Sequence, residues 1–444
     1  MQKCLIQRDK EEISEAAVSD MVFLHVFAPA MVSYVEWVLA EAAASGKKRL
    51  YFLARDGWMM YQAAQILADF RHAGTELKYL RVSRYSLRRA EYHLLKEKCL
   101  DSICTGGIDV TFEKLMKRAA LTEEEGRRVA ELAGYADRYQ QPLNYRQLHK
   151  LSARLGKLKP FLEYIQVHSA VCYEDTVGYL RQEGLMDEIP YAFVDSGWIG
   201  TLQMSLQHLI ADACKVDRKM EGYYFGIYEI PKSADRNQYH GFFFTPAKGI
   251  FTKIGFSNCL FEAVFSAPEG MTMGYAYADG RYVPVESQIK NPNAEALLRH
   301  AGLLREYLHA YTHRAYRNTC PCGPGGLGFA RAKGGRAVAK KLLLKMMGTP
   351  TAAEARVFGS RKFCDDILEL TMQPVAVKWT DGELRKQRFF NKLLSKSGLR
   401  EGGLKESAWP EGSITMAQGN VRKNLRQERF YKFLMYIRKA IVKK

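Results

Sequence analysis

The chain has 444 residues, 47% of them apolar, which is enough for two or three domains with real cores. Its formal charge of +18 favours anionic company: phosphorylated substrates, nucleic acid or acidic lipid surfaces. Nine cysteines without dense spacing exclude a disulfide framework and point to a reducing cytoplasm, and the one close pair, Cys320 and Cys322, reads as a loop with two free thiols.

The polar opening, residues 1–10, argues against a signal peptide. Residues 1–45 form an N-terminal helical segment, with a helix over 11–45 that Pro29 breaks or kinks. Its most apolar run, 21–35, holds His25 and Pro29 and stops at Glu36, short of the roughly 20 residues a membrane helix needs, so no span is expected. Residues 46–85 open an α/β core: a strand over 48–54, a helix over 57–70 and a strand over 77–82 make a βαβ unit of the size parallel sheets require. Residues 86–188, with apolar spacing of three and four and a break at Gly106-Gly107, predict a helical insertion or cap.

The core resumes over 189–290. Residues 191–194 predict a buried strand, 195–200 a loop, 201–210 a helix, and 222–228 and 239–245 further strands; 274–278 and 281–284 predict a hairpin turning at Asp279-Gly280. A C-terminal helical region, 291–380, holds helices over 293–316, 336–347 and 351–370, with a Gly/Pro loop over 319–335. The tail, 381–444, carries sixteen Lys/Arg against six Asp/Glu, ten of the eighteen net charges. It ends in an amphipathic helix bearing Phe430, Phe433, Leu434 and Ile437, a face suited either to an anionic membrane surface or to ordinary core contacts.

In an open α/β sheet, ligands sit beyond the carboxyl ends of the strands. That rule gathers Arg55, Asp56 and Gly57 after the first strand, Ser83 and Arg84 after the second, and Asp195 with Ser196, Gly197, Trp198, Ile199, Gly200 and Thr201 after the third. A loop rich in backbone N–H groups at a helix N-terminus binds anions; its glycines admit a phosphate, Thr201 can cap the helix, and Asp195 can accept from a sugar diol. Arg55, Asp56 and Gly57 offer a cation, an acid and a permissive backbone, as a magnesium pyrophosphate requires, with Asp56 as the metal ligand. Glu262, in the apolar segment 260–269, joins Asp56 and Asp195 as a catalytic carboxylate, whereas Glu269 reads as structural. Trp409 is either a sugar-stacking platform or a buried anchor. The strand, turn and helix around Asp195 also fit a plain αβ unit with no ligand.

Residues 50–57 with 79–85, and 191–201, resemble the pyrophosphate and phosphoribosyl-pyrophosphate loops of type I phosphoribosyltransferases. The departures are a single acid, Asp195 followed by Ser196, where that family carries adjacent acids, and a shorter loop. Pro29 with Tyr34-Val-Glu-Trp37, Phe52-Leu-Ala-Arg-Asp-Gly57, Tyr79-Leu-Arg-Val-Ser-Arg84, Val194-Asp-Ser-Gly-Trp-Ile-Gly-Thr-Leu-Gln203, Glu262-Ala-Val-Phe-Ser-Ala-Pro268 and Ser407-Ala-Trp-Pro-Glu-Gly412 together resemble the transferase part of bacterial polysaccharide phosphoribosyltransferases, over most of 20–412. The resemblance implies an α/β, phosphoribosyltransferase-like parallel sheet flanked by helices, with a large helical insertion and a helical C-terminal region. It implies magnesium-dependent transfer of 5-phosphoribofuranose from phosphoribosyl pyrophosphate to a hydroxyl of a surface or capsular glycan, lipid-linked in some settings. A separate haloacid-dehalogenase-type phosphatase would then remove the 5-phosphate, because no strand followed by Asp-x-Asp stands near the N-terminus. The expected location is the cytoplasm, peripheral at the inner face of the membrane, with no nucleic acid partner. Two readings remain beside it: a haloacid-dehalogenase-like phosphate-ester hydrolase, and a non-catalytic basic protein that binds membrane or nucleic acid.

Overall fold

Strand β1 (Arg49–Leu53) sets the layering, since Leu50 and Phe52 point into one layer, Tyr51 and Leu53 into the other, and all four are fully buried. The computed structural model describes residues 14–107, 110–318, 328–364, 367–368, 372–396, 404–417 and 419–442. In it β1 pairs in parallel with β2 (Glu76–Leu80) on one side and β3 (Tyr191–Trp198) on the other. β4 (Glu221–Ile227) and β5 (Tyr239–Gly241) continue outward, giving one all-parallel sheet in the order β2-β1-β3-β4-β5. The chain winds one way from β1 to β2 and the other way from β3 to β5. The direction reverses between β1 and β3, and the crevice beyond their carboxyl ends is where a sheet of this kind receives a ligand.

One face of the sheet is covered by the helices Ala28–Ala44, Gly57–Arg71, Asn258–Phe265, Ala294–Asn318 and Gly328–Gly348. The other is covered by Arg84–Leu95, Lys159–Gln182 and Thr201–Cys214. The chain between β2 and β3 is helical, as its spacing predicts, and it carries a separate cluster of buried residues around Phe112, Leu115, Val129, Leu151 and Phe161.

Pro29 does not break the first helix. A π-helical turn, Phe23–Phe27, joins Glu15–Val22 to Ala28–Ala44 just ahead of the proline, where its missing N–H needs no α-helical partner. The resulting helix is long and apolar enough to cross a membrane by length and composition, yet Phe23, Phe27, Met31, Tyr34 and Val35 on it are fully buried within the fold.

Other boundaries move for local reasons. β3 runs past the expected end at Val194 because β4 stays beside it, pairing Asp195 with Tyr224 and Trp198 with Ile227. The strand expected over 239–245 stops at Gly241. The helix expected over 351–370 is only Ala352–Gly359, opened by a Thr351/Glu354 capping box and closed where Gly359 packs against Ala376; Lys362–Phe363 then pairs with Gln373–Pro374. Residues 328–335 of the expected Gly/Pro loop belong to a helix, while 319–327, with Cys320 and Cys322, lie outside the described residues. The hairpin forms as expected from β6 (Thr272–Ala278) and β7 (Arg281–Glu286), with positive φ at Asp279 and Gly280.

The basic tail is docked. On the helix Val421–Val442, Tyr436 stacks on Tyr228, and Lys432 bonds the buried Glu411 at 2.6 Å. Phe433 stacks on Phe251, while Phe430 and Leu434 stay exposed, so the face expected to act as one is divided. Trp409 is fully buried and donates Nε1–H to the Met347 carbonyl at 2.7 Å, which makes it an anchor rather than a sugar platform.

Candidate active site

The loop after β1 brings Arg55 and Asp56 to the sheet reversal. Asp56 stands at the N-cap of the Gly57–Arg71 helix without capping it; its carboxylate turns instead to accept the Ser196 hydroxyl of β3. One strand over, the N–H groups of Ser196 and Gly197 favour the charged form of the Asp195 carboxyl. Its backbone carbonyl is held by the Tyr34 hydroxyl at 3.0 Å, which also reaches the Tyr223 carbonyl at 2.7 Å. Tyr34 is fully buried, so the N-terminal helix fixes the β3/β4 register where the acid sits. Glu262, on the Asn258–Phe265 helix, accepts Trp198 Nε1–H at 2.5 Å, and Phe256 and Phe261 pack against the indole ring.

Two glycines are required by this geometry. Gly197 has φ 103°, and a Cβ there would lie 2.7 Å from the Gly226 carbonyl oxygen. Gly200 has φ 68°, and a Cβ would lie 2.4 Å from the Tyr239 ring. Gly200, not Thr201, is the N-cap of the Thr201–Cys214 helix, and no side chain caps it. The first-turn N–H groups of that helix therefore have no side-chain acceptor among the described residues and stand at the cleft wall.

The cleft has a volume of about 420 Å³. Every catalytic, metal or substrate-binding residue expected from the sequence lines it except Gly57, whose Cβ position meets the Phe52 backbone at 2.9 Å; that glycine serves helix–strand packing. Ser83 lines the cleft, but its hydroxyl already donates to the Thr272 carbonyl at 2.6 Å and caps the Arg84–Leu95 helix through Ser86 N–H. Glu269 lies outside, accepting the Tyr79 hydroxyl at 2.6 Å, in the structural role expected of it. The sequence reading missed Arg88, Arg118 and Lys362, which also line the cleft. Arg88 was within reach of inference, standing four residues after Arg84 on a helix.

Three carboxyls thus share a cleft with Arg55, Arg84, Arg88, Arg118 and Lys362. Burial, and then repulsion from Asp56, pushes Asp195 and Glu262 up to about 8, and burial also raises Asp56. Arg84 opposes the rise at all three. At neutral pH such a cluster holds protons that ordinary carboxylates would have lost, and it can exchange them with a ligand. Among the described residues no group of three or more His, Cys, Asp and Glu is arranged to hold a metal ion. Neither a scan against protein-family models nor a search of curated proteins finds a match to this chain.

Proposed function

We propose that the chain moves 5-phosphoribofuranose from phosphoribosyl pyrophosphate to a hydroxyl of a bacterial surface or capsular polysaccharide, releasing pyrophosphate, on a phosphoribosyltransferase-like sheet. The observation that carries this reading is the meeting of two strand-end loops at the sheet reversal. One presents an acid beside an arginine, and the other presents an acid followed by an uncapped helix N-terminus.

The first-turn N–H groups of the Thr201–Cys214 helix hold the 5-phosphate, and Asp195 accepts from the ribose diol. Arg55 and Arg84 bind the pyrophosphate and neutralise its charge as the bond to C1 breaks ahead of the new one, so fixed charge supplies most of the catalysis. Glu262, oriented by Trp198, takes the proton of the acceptor hydroxyl; a base titrating near 8 is well matched to that task. Asp56 fits a magnesium ligand: its hard oxygens lie against a second repelling carboxyl, and magnesium takes one or two carboxylates plus substrate phosphates rather than a protein cage. Bound there, the ion would supply further neutralisation of the leaving group.

The product keeps its 5-phosphate, so a separate phosphatase would follow. A position at the cytoplasmic face of an anionic membrane, where lipid-linked acceptors lie, is supported by the exposed stripe Arg426, Phe430, Leu434 and Arg438 at helical spacing of four. Exposed Phe390 stands near it, through Phe389 against Phe430. Incubation with magnesium, phosphoribosyl pyrophosphate and a panel of glycans, with products weighed for an added phosphoribosyl unit, tests the proposal. Phosphate release from simple esters without such a unit would favour a hydrolase, and salt-sensitive nucleic acid binding without turnover a binding protein.

A further inference from the structure

The cleft has a second, cationic wall that comes from the helical segment between β2 and β3. Arg84 and Arg88 occupy successive turns of the Arg84–Leu95 helix, which puts their Cβ atoms about 6 Å apart on one face. Arg118, at the end of the helix Phe112–Arg118, lines the same cleft, its guanidinium fixed by the carbonyls of Ile103 at 3.3 Å and Thr105 at 2.6 Å.

Arg88 is the telling member. It retains partial exposure and lines the cleft, yet it has no hydrogen-bond or salt-bridge partner among the described residues. The acid nearest it in the chain, Glu91, is committed elsewhere, to Ser205 Oγ at 2.5 Å and His208 Nδ1 at 2.9 Å. Burial holds the Arg88 guanidinium below the usual arginine range; Arg84 and Arg118 add repulsion, and Tyr92 and Glu91 pull the other way without bonding it. A half-buried guanidinium at a cleft wall with no protein acceptor among the described residues is open to an anionic ligand, and an arginine at such a wall is suited to bidentate contact with a phosphoryl group.

We infer that Arg88 and Arg118, with Arg84 between them and the carboxyls, form a phosphoryl-binding subsite, so that the helical segment binds substrate rather than merely covering it. This deepens the proposed function, in which the donor carries a phosphoryl group at each end, and it leaves the helix N-terminus at Thr201 to hold the other end. Two sources of the phosphoryl group share this chemistry: the pyrophosphate and the 5-phosphate.

The test is titration calorimetry of the whole protein with inorganic pyrophosphate and, separately, with ribose 5-phosphate, each in the presence of magnesium. Arg88→Gln should weaken one of the two at least tenfold, and Arg88→Lys should restore part of the loss; the ligand that suffers identifies which end of the donor sits there. Because no described residue bonds Arg88, the variants should melt close to the wild-type temperature, and Arg88→Met keeps the aliphatic stem should Gln fail to fold. Unchanged affinity for both ligands in Arg88→Gln and Arg88→Met overturns the subsite, as does wild-type protein that binds neither ligand at millimolar concentration. If phosphoribosyl transfer is never found but pyrophosphate binding still depends on Arg88, the subsite stands and the proposed reaction falls. If transfer proceeds and Arg88 is irrelevant to it and to binding, the reverse holds.

Discussion

Trp198→Phe probes the coupling between the indole N–H and the carboxyl of Glu262. Phenylalanine keeps an aromatic ring among Phe256 and Phe261, gives up part of the indole's packing, and removes the donor that holds Glu262 Oε1 at 2.5 Å. A hydrogen bond to a buried carboxyl contributes about 1.5–3 kcal/mol, and one pKa unit corresponds to about 1.4 kcal/mol. The bond to Trp198 holds the Glu262 value down against burial and Asp56, so its loss should raise that value further, by about one to two units. A base must be deprotonated to act, so activity rises with pH through its pKa, and the acid limb of the kcat/KM profile should move to higher pH by that amount. At pH 7 the rate should fall about tenfold or more, and donor affinity should change little. The assay is pyrophosphate release against pH, with a urea unfolding curve to show that the variant is folded. An acid limb that does not move in a folded variant would refute the assignment of Glu262 as the base positioned by Trp198.

Asp195→Asn should weaken donor binding or slow transfer at least tenfold, roughly 1.4 kcal/mol, with the fold intact, as binding and turnover measurements would show; wild-type turnover would remove the donor loop from β3. His300 is fully buried against Phe23, and burial, with Arg361 beside it, pushes it down to about 3. The unfolded chain then takes up this proton first, so the stability it contributes is complete above about 6.5 and is lost at up to about 1.4 kcal/mol per pH unit on acidification toward 3. His300→Gln should flatten urea midpoints between pH 7 and 5, and an identical pH slope in both proteins would contradict this. Because Tyr436 and Lys432 dock the terminal helix, deleting it would open the core; Phe430→Ser with Leu434→Ser is the cleaner perturbation. Sedimentation with anionic vesicles should fall severalfold in that double variant while turnover on a soluble acceptor stays intact, and unchanged sedimentation rejects the membrane surface.

The strands around the site were legible because a parallel strand covered on both faces reads as a short apolar run, and residues 50–53 and 191–194 do so without interruption. The placement of Asp56 and Asp195 together needed only the rule that ligands meet strand carboxyl ends, although 139 residues separate them. Arg118 and Lys362 were not legible, because each reaches the cleft through tertiary packing of a segment whose own periodicity says nothing about it. Ser83 carried a second signal. A serine after a strand looked like a ligand, while the Ser83 and Ser86 pair, three apart at a helix start, was a capping signal visible in the sequence. Gly57 and the short helix ending at Gly359 turned on contacts with Phe52 and Ala376, which lie beyond local pattern.

The proposed reaction requires the cleft at the carboxyl ends of β1 and β3 to be a donor site. A crystal structure of the protein with magnesium and phosphoribosyl pyrophosphate tests it most directly. Density for the donor is expected inside the cleft, one phosphoryl group at the N-terminus of the Thr201–Cys214 helix, the other among the arginines of the Arg84–Leu95 helix, and the ribose hydroxyls at Asp195. Donor density elsewhere on the protein, or an empty cleft at saturating donor, would contradict it.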